Sequence, residues 1–231
     1  MWASSASIPD PGVVFDLPDG RLAFGEGELD PWAEHLAWCY RLLGAEEGET
    51  LAVQDFGSSP LSFLGSALLT PTLGAGAAEL LGGRMVCLDA SYERVLLTPA
   101  VLEQLRPDVL VVRADLVGLL REVLHRAGRE LEAGPPPRVV VAAEDRWAPL
   151  PGPHWRRLLC AERTLLLAPE CPACGAFHIR EGFYELAGSE VRNLRMPSLD
   201  PHPLRLAARP RRGCELGEGD WLVQLSGEWT A

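Results

Sequence analysis

The chain of 231 residues contains no lysine: all 21 of its basic residues are arginine. Asparagine occurs once, at Asn193, and isoleucine twice, at Ile8 and Ile179. These residue types share AT-rich codons, so a GC-rich genome accounts for the scarcity. The chemical consequence stands regardless of its origin. A Schiff-base lysine, a P-loop lysine and a lysine general base are all excluded from this chain. Basic charge is scarce as well, and the formal net charge is −11. That balance argues against a general nucleic-acid or anionic-membrane surface, both of which need a basic face. No apolar run reaches the roughly 20 residues needed to span a bilayer. The first residues lack the basic and apolar regions of a signal peptide. With six cysteines and no export signal, reduced thiols or metal ligands are expected rather than disulfides, and the expected compartment is the cytoplasm.

A hydrophobic content of 47% with 23% charged residues is ordinary for a globular protein able to bury a substantial core. Residues 1–30 are rich in Pro and Gly and read as an extended arm, with one short hairpin around Asp19-Gly20. Asp30-Pro31 reads as an N-cap and first-turn proline, opening a helix that closes at Gly44. Strands are expected at 50–56, 85–88, 108–112, 138–143 and 164–167. Between them lie an apolar helix from about 61 to 81, kinked or divided by Pro71, and further helices from Thr98, at 114–127 and near 153–161. Continuous Val/Leu strands separated by helical patterns predict parallel, doubly covered pairing. The expected fold class is therefore α/β: a mainly parallel sheet of about five strands covered by helices, over residues 31–169. Residues 170–231 break that rhythm, with short strands at 177–186, 204–208 and 221–225, and read as a small β-rich appendage.

The segment Cys171-Pro172-Ala173-Cys174-Gly175-Ala176-Phe177-His178 carries the strongest chemical signal. Two thiolates and an imidazole at this spacing can converge on one ion, and Cys214 can supply a fourth corner of a closed Cys3His zinc site. A metal staple would suit an appendage with a modest core. Two other readings stay open: free structural thiols, and a C-x-x-C redox pair.

The remaining candidates each have a plain structural account beside the functional one. Gly57-Ser58-Ser59 follows a strand and opens a helix, where α/β folds bind anions, or it is a simple capped turn beside the loop carboxylate Asp55. His35 and Cys39 stand four apart and face a ligand or the helix surface. His125 sits on a Leu-rich helix and reads as half-exposed. His154-Trp155-Arg156-Arg157 offers a contact for a CoA phosphate or nucleotide, or a capped surface helix. Arg205, Arg209, Arg211 and Arg212 form the basic patch, either an anion site or solvated turn residues.

Several strings together carry a family resemblance. They are Tyr40 to Thr50, Leu80-Leu81-Gly82-Gly83-Arg84-Met85-Val86, Leu105-Arg106-Pro107-Asp108-Val109-Leu110-Val111, Glu170 to His178 with Glu181 to Glu185, and Gly213-Cys214-Glu215 with Leu225 to Trp229. Over residues 30–231 the order of elements resembles the phenylacetate-CoA ligase-like branch of the adenylate-forming (AMP-binding) acyl-CoA ligases. The resemblance implies a Ser/Thr/Gly-rich phosphate loop before residue 30, but Gly25-Glu26-Gly27-Glu28 stands there, and its glutamates would repel phosphate. It implies an adenine-binding strand-turn before Cys171, of which only Glu170 matches the metal-holding acid. The ribose-binding aspartate expected near Arg205–Arg209 is missing, and so is the lid lysine. The resemblance therefore implies a reduced, degenerate relative with no assignable catalytic residues. Such a relative would serve as an accessory or interaction subunit, or keep a pocket for an acyl, aryl or CoA group and be completed by a partner chain. The strongly apolar 61–81 segment, read as a helix apolar nearly all round, points to a homodimer or a larger protein partner.

Overall fold

A computed structural model describes residues 13–17, 20–25, 27–57, 59–70, 72–130, 137, 139–144, 155–161, 164–187, 190–197, 199, 201–203, 214 and 221–223. The expected hairpin forms between β1 (Val13–Leu17) and β2 (Gly20–Phe24), with Leu17 opposite Gly20. Helix α1 (Asp30–Leu42) follows. Its N-cap is Leu29 rather than Asp30, and the Asp30 carboxylate instead accepts the Gly74 N–H at 3.0 Å. Pro31 does lie in the first turn, where its missing N–H costs nothing.

Six strands, one more than expected, form the main sheet in the order β4-β3-β5-β6-β7-β8. These are β3 (Thr50–Gln54), β4 (Arg84–Leu88), β5 (Val109–Arg113), β6 (Val139–Glu144), β7 (Trp155–Ala161) and β8 (Leu166–Pro169). All neighbours pair in parallel except β7 with β8. Successive side chains point to opposite faces. Leu51, Val53, Val109, Val111, Val139 and Val141 face one core, whereas Ala52, Leu110, Val112 and Val140 face the other. The first core is closed by α1, α2 (Pro60–Phe63) and α3 (Ala77–Leu80) through Leu36, Leu61, Phe63 and Ala77. The second is closed by α4 (Tyr92–Val95), α5 (Thr98–Leu105) and α6 (Val117–Arg126) through Val95, Leu102, Leu120 and Leu124. The chain crosses from β3 to β4 over the first face, then from β4 to β5 and on to β6 over the second. Its direction of travel therefore reverses between β3 and β5, and the carboxyl ends of those two strands flank a topological switch point.

Two sequence expectations are corrected. Of the residues near 153–161, Trp155–Ala161 form strand β7, not a helix. A short apolar run has no decisive period. Its ladder with β6 and the burial of Trp155, Leu158 and Leu159 on opposite faces of the sheet settle it as a strand. The 61–81 segment is not one apolar helix but two four-residue helices joined by a chain that doubles back. Gly76 meets the Ser66 backbone so closely that a Cβ would strike the Ser66 Cα. Ala77 N–H donates to Leu64 O at 2.8 Å, and the Glu79 carboxylate accepts from Ser66 Oγ and Ala67 N. Leu61, Phe63, Leu64, Leu73 and Leu81 are buried by this fold, while Leu68 is 88% exposed. Pro71 lies outside the described residues.

Beyond β8 the strands are short. β9 (Phe177–Ile179) pairs with β13 (Trp221–Val223), while β10 (Tyr184–Ala187), β11 (Glu190–Asn193) and β12 (His202–Pro203) form a second antiparallel sheet. The strand expected at 204–208 lies outside the described residues. Phe177, Ile179, Phe183, Tyr184 and Val191 enter the same apolar core as α1 and the first face of the main sheet. Tyr184 fastens this region by accepting the Leu167 N–H and donating to Leu165 O, both at 2.9 Å. The chain's single asparagine adds three bonds. Asn193 Nδ2 donates to Thr164 O at 3.0 Å, and its Oδ1 accepts from Arg195 N and Met196 N. Among the described residues, no helix is long and apolar enough to cross a membrane.

Candidate functional site

The four residues singled out by spacing come together. One ligand atom each from Cys171, Cys174, His178 and Cys214 lies within 4.8 Å of every other. The scaffold is the tight turn between β8 and β9, begun by a bridge between Glu170 and Phe177. Gly175 N–H donates to Cys171 O, and Cys171 N–H donates to Ala176 O, both at 2.8 Å. Gly175 has φ +62°, a left-handed conformation that glycine adopts without a Cβ penalty. This turn presents Cys171 and Cys174 on one side and leads into His178 on β9, opposite Leu222 of β13. Cys214 approaches from much later in the chain, with its Sγ 3.8 Å from that of Cys171. Cys174 Sγ lies 3.5 Å from His178 Nε2.

Helix α1 walls the cluster. Leu42 and Ala176 pack with Cys171 and Cys214, and Trp38 lies against the same group. The Trp38 and His178 rings stand 6.5 Å apart, and the Arg180 guanidinium lies over the Trp38 ring at 5.3 Å. Cys171 and His178 are fully buried. Burial pushes the Cys174 thiol up to about 11. None of the six cysteines forms a disulfide.

A second cluster stands at the switch point. Asp55, just past β3, is buried; its Oδ1 accepts the Phe56 N–H at 2.7 Å and lies 3.8 Å from Arg113 Nη1 at the end of β5. Arg113 also grips Asp115 with two bonds, at 3.0 and 2.7 Å, and lies 4.9 Å from the centre of the half-exposed Phe56 ring. Desolvation raises the Asp55 pKa, against the lowering influence of Ser59, the Phe56 amide and Arg113. Gln54 accepts from Thr98 Oγ1 at 2.7 Å and donates to the carbonyls of Leu88 and Asp89. Ser59 caps α2, its hydroxyl accepting the Ser62 N–H at 3.3 Å. Ser58 lies outside the described residues. The sequence could not pair Asp55 with Arg113, because only the parallel register brings positions so distant in the chain to adjacent strand ends.

The other candidates are placed as follows. His35 is not a surface residue: it is fully buried, donates from Nε2 to Leu167 O at 2.9 Å, and stacks between Trp38 and Phe183. Cys39 Sγ stands 4.0 Å from it. His125 is exposed. Trp155 is buried in the second core, and Arg157 pairs with Glu170 at 2.9 Å, so this stretch makes no surface-helix site; His154 lies outside the described residues. Arg205, Arg209, Arg211 and Arg212 also lie outside them. At 25–28 the Gly25 N–H donates to Glu28 Oε2 at 2.7 Å, so the chain's own carboxylate occupies that backbone donor.

No family model and no curated protein matches the chain. Solved structures do. The open conformation of 2-hydroxyisobutyryl-CoA ligase, in complex with 2-HIB-AMP and CoA, superposes with a TM-score of 0.65 at 12% identity, covering 91% of this chain and 51% of that one. The same ligase in its postadenylation state, with R3-HIB-AMP, gives a TM-score of 0.61 at 10% identity, covering 91% and 50%. The fold is similar to that of about half of these acyl-CoA ligase structures. The chain spans about half the length of the ligase structures it matches. Within this ligase-like fold, the Cys3His cluster and the Asp55–Arg113 strand-end cluster are separate constellations. The first offers soft ligands to a metal, and the second offers a buried acid and a guanidinium already engaged with each other.

Proposed function

We propose that this chain is a reduced relative of the AMP-dependent acyl-CoA ligases, in the phenylacetate-CoA ligase-like branch, that acts as a non-catalytic accessory or interaction subunit. The observation that carries the reading is the Gly25–Glu28 bond. Where the resemblance puts a phosphate loop, a backbone N–H that would meet an anion is already satisfied by a glutamate. A phosphoryl group would have to displace that carboxylate and then sit beside it. The chain also has no lysine to neutralise charge developing on a transferring phosphate. Pyrophosphate exchange on the purified chain, with a panel of aryl and fatty acids, tests this directly. Background rates are expected throughout; robust exchange that depends on Glu170 would overturn the reading.

An interaction role is supported by Leu68 and Leu69, which stand 88% and 48% exposed at the tip of the doubled-back segment. Two adjacent exposed leucines would give a protein partner an apolar contact. The expected assembly is a homodimer or a complex with a larger protein. Sedimentation should show self-association that Leu68→Asp abolishes. A monomer at every concentration would remove the homodimer.

A second reading has its own support at the switch point. There Arg113, Asp55 and the half-exposed Phe56 ring stand where open α/β sheets receive ligands, and the ligase relatives carry 2-HIB-AMP and CoA. A residual site for an acyl or aryl acid, or for CoA, would use the guanidinium for a carboxylate or phosphate and the ring for the apolar part. Thermal-shift measurements with CoA and aryl acids should then show stabilisation that Arg113→Gln removes.

A further inference from the structure

We infer that Cys171, Cys174, His178 and Cys214 bind one zinc ion in a closed, tetrahedral, structural site that ties the C-terminal region to helix α1. The distances between donor atoms carry the assignment. On a tetrahedron with zinc–sulfur bonds of about 2.3 Å and a zinc–nitrogen bond of about 2.0 Å, paired sulfurs stand about 3.8 Å apart. A sulfur and a nitrogen on the same ion stand about 3.5 Å apart. Cys171 and Cys214 are 3.8 Å apart and Cys174 and His178 are 3.5 Å apart, one pair of each kind. A disulfide is a poor alternative for Cys171 and Cys214, because its sulfurs would lie about 2.0 Å apart.

The surroundings argue for a structural rather than a catalytic ion. A catalytic zinc keeps a corner open to water or substrate, whereas four protein ligands fill a tetrahedron. Here Cys171 and His178 are sealed, Cys214 is 9% exposed, and the wall is made of Leu42, Ala176 and Trp38. Backbone bonds hold the Cys171–Gly175 turn that carries two of the sulfurs, and pairing with β13 holds the backbone of His178. The donor set of three thiolates and one imidazole in a tetrahedron favours zinc over the harder divalent cations. Metal binding would close the chain between Cys171 and Cys214 and hold both against Trp38 and Leu42 of α1, so part of its free energy becomes folding free energy.

The test is elemental analysis of the full chain purified without chelator. About one zinc per chain is expected, with X-ray absorption showing three sulfurs and one nitrogen around it. Cys171→Ser and Cys214→Ser should each lose the metal and lower the melting temperature, whereas Cys87→Ser, outside the cluster, should keep it. If the ligand variants fail to fold, the wild-type chain still decides. Titration with a mercurial in the presence of a chromogenic chelator should release one zinc as the cluster thiols react, and cobalt exchange should give the absorption of a tetrahedral thiolate site. A chain with no stoichiometric metal, one loaded with iron, or a zinc shell lacking the third sulfur would overturn the assignment.

Discussion

Arg157 Nη1 donates to Glu170 Oε1 at 2.9 Å across the antiparallel pair β7–β8, with both side chains mostly buried. The same two residues are joined along the backbone, where Glu170 N–H donates to Arg157 O at 2.9 Å. Desolvation raises the Glu170 pKa even though Arg157 pulls it down. Arg157 thus offsets part of the cost of burying the Glu170 carboxylate, which immediately precedes Cys171.

Removing that cation should be costly. Arg157→Met leaves a part-buried carboxylate with only the charge of Arg156 to offset it, with an expected loss of about 1–3 kcal/mol at neutral pH, below the range for a fully buried pair because both groups retain some solvent. The deficit should shrink as the pH is lowered, because protonation of Glu170 removes the unpaired charge. Urea unfolding at two pH values measures it. An equal loss at both would show that the pair acts through packing alone.

His35 sets an acid limit on stability. Burial is the main cause of a pKa lowered to about 3, with the Leu167 carbonyl opposing it and Arg180 adding to it. The folded chain holds the ring neutral while the unfolded chain protonates it near the ordinary value of about 6.5. Stability from this group is thus complete above about pH 6.5 and is lost as the pH falls towards the folded value, by up to about 1.4 kcal/mol per pH unit. His35→Gln keeps a donor for Leu167 O but loses the stacking. It should unfold more easily at neutral pH and show a flatter dependence between about pH 6 and about pH 4.

Two glycines should respond oppositely to alanine. A Cβ on Gly83 would collide with the Glu49 carbonyl where β4 begins beside β3, so Gly83→Ala is expected to lose about 1–3 kcal/mol. Gly118 lies in α6, and a Cβ added there would meet nothing within 4 Å. Gly118→Ala should gain up to about 1 kcal/mol from helix propensity. Thermal unfolding of the two variants side by side checks both signs.

The main sheet is legible in the sequence because its central strands are runs of Val and Leu, and such runs are wanted only where both faces are covered. Strand β7 reads wrongly as a helix for a related reason: seven residues with two arginines show neither period clearly, and the ladder offered by β6 decides. The 61–81 stretch misleads because its leucines suit a helix, whereas the close approach of Gly76 to Ser66 exists only after the chain folds back. The Cys171–His178 part of the cysteine-histidine cluster shows in the sequence through its spacing. The Asp55–Arg113 pair leaves no such mark, because it depends on which strands become neighbours.

Helix α1 packs on α3, on β8 and on the cysteine cluster, while its Trp32 and His35 meet Phe183 and Tyr184 of the C-terminal region. One helix is thus a shared wall for the sheet and for the described strands that follow it. Phe183, Tyr184 and the cysteine cluster cannot leave that wall without uncovering the aromatic face that also roofs the sheet. The two regions are expected to open together, with the slowest-exchanging amides of α1 reporting both.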